Sequence, residues 1–188
     1  MTLVQLVQAG DRTAFEVLYR RYIDQAVRVA FLITHSQQLA EDVAQETFVQ
    51  VLRRIRTLRE PRNFRPWFYS ILHNAGRRTG RKEKGWSFFP FDLLGRGEGD
   101  TGAAGVDELV LDRQEVEELR TLITRLPEHH REVIVLRYYA ELTEPEMAEA
   151  LNVPAGTVKS RLHGARQRLL AMLQEGRNGG RRGHFAAR

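Results

Sequence analysis

The sequence contains no cysteine. Disulfide bonds, thiolate catalysis and zinc sites with cysteine ligands are therefore excluded. No apolar run approaches the roughly 20 residues that a helix needs to cross a bilayer. Residues 1–11 also lack the basic start and the small-residue cleavage site of a secretory signal. We therefore expect a cytoplasmic protein without a membrane span.

Patterns that carry catalysis are also lacking. Glu41, Asp42 and Glu46 fall on one predicted helix, with no histidine or distant acid to complete a metal-holding carboxylate cluster. The sequence has no glycine-rich phosphate loop and no Ser/His/Asp arrangement. We predict a protein that is not an enzyme and that needs no metal or cofactor.

Positive charge is abundant and concentrated in two blocks. The net charge is +5 and the pI is near 10.0. Lysine and arginine far outnumber acids in residues 53–84 and again in residues 156–188, whereas residues 107–126 are acidic. Such runs are either solvated faces or, when two of them fall on predicted helices, two contacts on one nucleic acid.

The first 84 residues show helical periodicity throughout. Apolar residues recur at spacings of three and four through residues 3–31, and residues 35–38 interrupt the pattern. A second helix is predicted over residues 40–58, with Val43, Thr47, Ile55 and either Val51 or Leu52 facing inward. Pro61 marks a loop over residues 59–63, and a third helix follows to about Lys82, with Trp67 and Phe68 facing the core.

Two small domains and a linker follow from these patterns. Five glycines between residues 95 and 105 predict a linker over residues 85–106. Its segment 86–94 is unusually apolar and is expected to dock, either on this protein or on a partner. Helical periodicity resumes for a second domain over residues 107–175, and the glycine- and arginine-rich residues 176–188 predict a disordered tail. The predicted fold class is all-α.

A helix-turn-helix pattern lies within the second domain. Thr143 and Glu146 have the spacing of a capping box at the start of a short helix. Asn152 stands where a helix end requires a left-handed residue, and Pro154 precedes a second helix. The inner stripe of that second helix is predicted to be Val158, Leu162, Ala165, Leu169 and Met172.

The outer face of the second helix is rich in hydrogen-bond donors, and no acid occurs between Glu149 and Glu175. Such a face fits the major groove of DNA, where arginine pairs with guanine and neighbouring groups contact phosphates. The alternative is a helical hairpin whose exposed side happens to be cationic. The residues of this face are Lys159, Ser160, Arg161, His163, Arg166 and Gln167.

Both halves of the chain resemble the sigma-70 family, in its extracytoplasmic-function (ECF) branch. Residues 126–139, 147–151 and 156–162 look like region 4, which reads the −35 promoter element in that family. Residues 10–19, 40–48 and 64–69 resemble region 2, and the two matches occur in the family's order and spacing. The resemblance implies a sigma factor with a region 2 bundle at residues 1–84 and a region 4 helix-turn-helix at residues 107–175.

The resemblance also implies partners and their contact residues. The β′ coiled coil of core RNA polymerase would bind Asp42, Gln45, Glu46 and Val49, which are spaced to share one helix face. Further implied partners are the polymerase β subunit, promoter DNA and, as in many relatives, an anti-sigma factor that clamps both domains. The −10 contacts would be Arg59, Arg62, Asn63, Phe64, Asn74, Arg77, Arg78 and Arg81. The −35 contacts would be Thr157, Lys159, Ser160, Arg161, His163 and Arg166.

Two other functions remain open at this point. A regulator that binds operators without joining polymerase would use the helix-turn-helix, but it would leave the face from Asp42 to Val49 without a role. An enzyme acting on nucleic acid would need the carboxylate cluster that the sequence lacks.

Overall fold

The computed structural model describes residues 1–83 and 113–183, with side chains described over residues 1–79 and 118–175. Every regular element within these ranges is a helix, so the prediction of an all-α fold is confirmed. The predicted linker with its apolar segment 86–94 and the end of the tail lie outside the described residues. The positions of the domain boundaries therefore stay a prediction.

Four α-helices form the front unit: α1 (Leu3–Gln8), α2 (Arg12–Thr34), α3 (Gln37–Arg54) and α4 (Phe64–Glu83). The break between α1 and α2 falls at Gly10, whose φ of 94° is the left-handed conformation that glycine adopts without strain. The apolar pattern alone suggested one continuous helix across this point. Two single 3₁₀ turns connect α3 to α4. Pro61–Asn63 lies in the predicted loop of residues 59–63, whereas Ile55–Thr57 lies where the helix was predicted to continue to residue 58.

Aromatic rings fill the centre of the front unit. The ring of Phe68 packs within 5.3 Å of both Tyr22 and Phe48, measured between ring centroids. Phe64 lies 5.4 Å from Tyr22 in an edge-to-face arrangement. Such pairs add roughly 0.5–1.5 kcal/mol beyond the area that they bury. The prediction that Phe68 belongs to the core is confirmed, since the residue is fully buried.

Four further helices form the rear unit: α5 (Arg113–Arg125), α6 (Glu128–Tyr138), α7 (Glu144–Leu151) and α8 (Ala155–Gly183). The backbone stays helical over residues 176–183, where the sequence predicted a disordered tail, so the helix of the second domain is longer than expected. The core of this unit lies between α6, α7 and α8. Its buried residues join those of the front unit in one hydrophobic cluster, so the two units pack against each other.

Helix α7 begins and ends as its sequence predicts. The Thr143 hydroxyl accepts from the backbone N–H of Glu146, and the Glu146 carboxylate accepts from the N–H of Thr143 at 2.8 Å. Asn152 ends the helix with a φ of 52°, in the left-handed region. The inner stripe of α8 is also confirmed, because Val158, Leu162 and Ala165 are buried.

Gly164 brings α8 close to α6. A methyl group at this position would lie 3.0 Å from Nε2 of His130, closer than ordinary van der Waals contact. Burial next to His129, Arg168 and Arg161 lowers the pKa of His130, so its imidazole favours the neutral form. The glycine therefore permits a close contact between the two helices at the middle of the rear unit.

The left-handed turn at Asn152 generates a stability prediction. Asn152→Val should lower the free energy of unfolding by about 1–2 kcal/mol, because a β-branched side chain is strained at positive φ. Asn152→Gly should change it by less than about 1 kcal/mol. Urea denaturation followed by circular dichroism measures both.

Glu149→Val, at an exposed site in the same helix, controls for the general cost of valine in a helix. Equal losses for Asn152→Val and Glu149→Val would contradict the assignment of strain to the turn.

Candidate nucleic-acid interface

Helix α8 presents a cationic outer face. Lys159, Ser160 and His163 are exposed, and the Ser160 hydroxyl donates to the backbone oxygen of Thr157 at 3.0 Å. Arg166 is exposed as well, and its Nε donates to the Tyr138 hydroxyl at 3.2 Å. These side chains stand opposite the buried stripe of α8. The helix can therefore offer donors to a nucleic acid without disturbing the packing of the rear unit.

Arg161 lies apart from this face. Its side chain is half-buried and lines a cavity between the front and rear units, although the sequence placed it among the DNA contacts. In this conformation Arg161 is directed toward the front unit and Thr157 is half-buried, so Lys159, Ser160, His163 and Arg166 form the accessible part of the predicted set.

The loop before α4 places its polar residues at the surface and its aromatic residue in the core. Arg59 and Arg62 are exposed, and Nε of Arg62 lies 3.6 Å from a Glu60 carboxylate oxygen. Asn63 is half-buried. Phe64 is only 3% exposed, because its ring packs on Tyr22, so it cannot stack on a base in this conformation.

The remaining predicted −10 residues are spread around α4. Asn74 and Arg78 are exposed, and Nη2 of Arg78 lies 3.0 Å from Oε1 of Glu46. Arg77 points to the rear unit, where its Nε contacts Glu128 at 3.0 Å. Arg81 continues the same helix, and its side chain is outside the described set. These cations therefore do not form one continuous face, because Arg78 lies at the surface and Arg77 faces the rear unit.

Helix α3 carries a separate exposed face with acidic, polar and apolar residues. Asp42, Gln45 and Glu46 are exposed, and Val49 is 44% exposed although it is apolar. Leu52 extends this face by another turn and is 52% exposed. Sequence reasoning left open whether Val51 or Leu52 faces the core, and the structure buries Val51. The predicted polymerase-binding face therefore left out Leu52, although its spacing of three residues from Val49 places it on the same side of the helix.

A row of polar residues on α4 faces the rear unit. Arg65, Tyr69, His73 and Arg77 follow one another at intervals of four, so they share one side of the helix. We call these four residues the α4 polar stripe. Each of their polar groups contacts the rear unit, either directly or through Gln25.

The first half of the α4 polar stripe grips the connection between α6 and α7. Nη2 of Arg65 donates to the backbone oxygens of Ala140, at 2.8 Å, and Glu141, at 3.2 Å. The Tyr69 hydroxyl donates to Oε1 of Gln25, whose Nε2 donates to the backbone oxygen of Tyr139, both at 2.6 Å. Burial raises the pKa of Tyr69 well above its ordinary value, so its hydroxyl stays a donor.

The second half of the α4 polar stripe meets two acids of α6. Nε2 of His73 lies 2.8 Å from Oε1 of Glu132, and both side chains are almost fully buried. The alignment of these atoms is not that of a hydrogen bond, and the contact is an ion pair only when the imidazole is protonated. Nε of Arg77 lies 3.0 Å from Glu128 and 3.6 Å from Glu132.

The electrostatics around Glu132 favour its charged form. Burial alone would raise the pKa of Glu132, but the contact with His73 and the charges of Arg77 and Arg161 lower it below its ordinary value of 4.5. A cavity of about 300 Å³ adjoins the pair. It is lined by His73, Arg77, Glu128, His129, Glu132, Leu151, Val153 and Arg161.

Two features are absent from the part of the chain that the structure describes. No group of three or more histidine, aspartate or glutamate side chains there is arranged to hold a metal ion. None of the helices in those ranges combines the length and the apolar character that crossing a bilayer requires.

Comparison with known proteins matches both units. The family model described as sigma-70 region 2 matches residues 18–85, and the one described as sigma-70, region 4 matches residues 116–169. The ECF RNA polymerase sigma factor SigW of Bacillus subtilis is 32% identical over 92% of this chain and 95% of its own. The RNA polymerase sigma-H factor of Pseudomonas aeruginosa is 31% identical over 92% of each chain.

Solved structures agree at the level of the fold. CnrH, in complex with the cytosolic domain of CnrY, superposes with a TM-score of 0.69 and 24% identity, covering 92% of this chain and 96% of its own. The sigma factor RpoE of Bartonella quintana, in complex with the anti-sigma factor NepR, gives 0.62 at 22% identity, over 85% of this chain and 96% of its own.

The pair of His73 and Glu132 generates a prediction on the pH dependence of stability. The pKa of Glu132 is lower in the folded than in the unfolded chain. Its ionisation therefore stabilises the fold above about pH 4.5, and the contribution is lost as the pH falls through the folded pKa. Glu132→Gln should lower the free energy of unfolding by roughly 1–3 kcal/mol at pH 7, and the difference from the wild type should shrink below pH 4.5.

Urea denaturation between pH 3 and pH 7 measures this difference. Glu149→Gln, which changes an exposed acid in the same unit, should show almost no effect. A loss for Glu132→Gln that stays constant across this range would argue against ionic stabilisation.

Proposed function

This chain belongs to the sigma-70 family, in its branch of ECF RNA polymerase sigma factors, and from this membership we propose that it binds core RNA polymerase and directs it to specific promoters. The proposed role is that of a non-enzymatic subunit. Because core polymerase works in the cytoplasm, we also propose that this protein is located there. An anti-sigma partner stays a prediction of the family resemblance.

The observation that carries this proposal is the pairing of two chemically opposite faces on separate helices. The α3 face is acidic and polar around an exposed Val49 and Leu52, which suits a basic helix of a protein partner. The α8 face is cationic and rich in donors, which suits a DNA groove. A regulator that only binds operators would need the second face and not the first.

On the polymerase side, we propose that Asp42, Gln45, Glu46, Val49 and Leu52 contact the β′ coiled coil. The apolar side chains at one end of this face would supply the buried area, and the acids at the other end would set orientation and association rate. Arg78 lies next to Glu46 in this structure and would compete with a basic partner for its carboxylate.

On the promoter side, we propose that α8 enters the major groove at the −35 element. Lys159, His163 and Arg166 are the accessible donors, and the Arg166 guanidinium would exchange the Tyr138 hydroxyl for a base or a phosphate. Arg59, Arg62, Asn63 and the exposed cations of α4 would contact the −10 region, with phosphates neutralised by arginine. Transcription in vitro with core polymerase and a pool of genomic promoters tests the whole proposal.

Charge reversal on α3 should separate polymerase binding from folding. Asp42→Lys should weaken binding to core polymerase by at least about 100-fold, because like charges facing each other across an interface cost several kcal/mol. The fold should remain intact, since Asp42 is exposed. Analytical gel filtration with core polymerase measures the complex, and circular dichroism measures the fold.

Glu41→Lys is the matched control, with the same charge change at the neighbouring exposed position on a different face of the helix. Normal promoter-specific transcription by Asp42→Lys would refute the assignment of the α3 face.

Removal of a single cation from α8 should weaken DNA binding. Lys159→Ala should reduce affinity for duplexes of any sequence by about the same factor and lower the slope of log K against log salt by about one. Arg166→Ala should instead reduce preference for the −35 sequence, with a cost of about 1–3 kcal/mol if it pairs with a base. Fluorescence anisotropy with matched and scrambled duplexes measures both effects.

Arg20→Ala, an exposed cation on α2, is the control. If all three variants lost the same affinity on both duplexes, α8 would not be the reading helix.

A further inference from the structure

The end of helix α1 is attached to the chain that leads into the loop of residues 59–63. Gln8 is the last residue of α1, and its Nε2 donates to the backbone oxygen of Ile55 at 3.0 Å and to that of Leu58 at 2.7 Å. These two oxygens lie at the start of the 3₁₀ turn Ile55–Thr57 and directly after it. A side-chain amide carries two N–H donors, so one glutamine supplies both bonds.

The backbone oxygens of this turn need donors from outside the helix. The last carbonyls of an α-helix have no partner within it, and α3 ends at Arg54, just before Ile55. The side chains of Ile55 and Leu58 are buried, and Gln8 is half-buried. A backbone oxygen that is shielded from water and lacks a donor costs free energy. Gln8 therefore stabilises the turn and also fixes its place relative to α1.

The attachment by Gln8 lies next to the residues that the proposed function assigns to the −10 element. Their loop begins directly after Leu58 and ends at Phe64, whose ring is buried in the aromatic core. The backbone of residues 59–63 is thus held at both ends, by the Gln8 amide before it and by the Phe64 ring after it. The side chains between these two points are exposed or half-buried. Their position relative to the core therefore depends on both attachments.

Helix α1 is itself fixed to the front unit. It has six residues, which is too short for a helix that is stable alone. A capping box between Thr2 and Gln5 satisfies its first turn, and Val7 is buried in the hydrophobic core. Because α1 also packs against α2, it presents the Gln8 amide from a fixed position and does not follow the loop.

We propose that Gln8 is a positioning residue for −10 recognition, which acts through the backbone of Ile55 and Leu58 and does not itself contact DNA. The inference rests on the proposed function, because only that function gives the loop of residues 59–63 its role. A loop that is already in place loses less conformational entropy when it binds a base. Arginine side chains can follow a phosphate from a displaced loop, so base recognition depends on Gln8 more than general affinity does.

Gln8→Met tests the proposal, because methionine has a similar length and no N–H donor. Gln37→Met is the matched control, with the same exchange at an exposed glutamine of α3. Ile123→Val shortens a buried side chain of the rear unit and controls for a general loss of stability. Each variant is used as the full chain in complex with core polymerase, after circular dichroism has shown that its helix content is unchanged.

The measured quantity is base discrimination at the −10 element. A promoter that the wild-type chain selects from the genomic pool supplies a single strand, and a set of strands changes its −10 bases one at a time. We expect Gln8→Met to lower the ratio of affinities for the matched and the changed strands roughly tenfold, with unchanged affinity for core polymerase and for a −35 duplex. Gln37→Met and Ile123→Val should keep the wild-type ratio.

A spin label provides a second measurement that needs no DNA. Because the chain has no cysteine, Arg62→Cys at an exposed position of the loop accepts a nitroxide at a single site. The electron paramagnetic resonance spectrum of the free chain should show a more mobile label when Gln8→Met is added, and no change with Gln37→Met. If Gln8→Met does not fold, Gln8→Glu replaces it, since an ionised carboxylate has a similar shape and cannot donate.

The outcomes separate the positioning role from a structural one. If Gln8 only stabilised the fold, its variants would lose stability, as Ile123→Val does, and keep the discrimination ratio. An unchanged ratio or an unchanged label mobility in a folded Gln8 variant would overturn the proposal. A wild-type chain that selects no promoter from the pool would instead contradict the proposed function, and the label would still decide whether Gln8 holds the loop.

Discussion

The structure depends on the packing of helix α4 from two directions. One side contributes Phe64, Phe68 and Leu72 to the aromatic core of the front unit, and the other side presents Tyr69 and His73 to the rear unit. Buried polar groups are costly without partners, so the second side has to be met by acceptors and acids from elsewhere in the chain. The rear unit supplies them, and the position of the two units relative to each other follows from that requirement.

Two cations that we propose for DNA contacts also form ion pairs within the chain. Arg77 and Arg78 are suited to a nucleic-acid backbone, yet each contacts a carboxylate of its own chain, Glu128 in one case and Glu46 in the other. An intramolecular acid that occupies a binding cation competes with phosphate for it. Under the proposed function, this competition would weaken encounters with random DNA more than a correct promoter complex, because only the latter would bring further contacts to replace the lost ion pair.

Local features could be predicted from the sequence, and long-range contacts could not. The capping box at Thr143, the left-handed Asn152 and the buried stripe of α8 each depend on neighbours within a few residues, and all were confirmed. The break at Gly10 was missed because the apolar spacing continues across it. The partners of the α4 polar stripe lie in a different unit, so its spacing of four indicated a shared face without indicating what covers it. Phe64 was predicted to contact a −10 base for the same reason, because the sequence does not show that its ring packs against Tyr22.

The close approach at Gly164 has a consequence for how recognition by α8 can evolve. Sliding α8 along α6 by one residue would bring a larger side chain against the His130 ring, which already lies 3.0 Å from the position that a methyl group would take. This contact therefore holds α8 in a single register against α6. A new sequence preference therefore has to come from exchanging exposed side chains of α8, because the helix cannot tilt or shift on α6. Single substitutions on α8 should then alter specificity one base pair at a time.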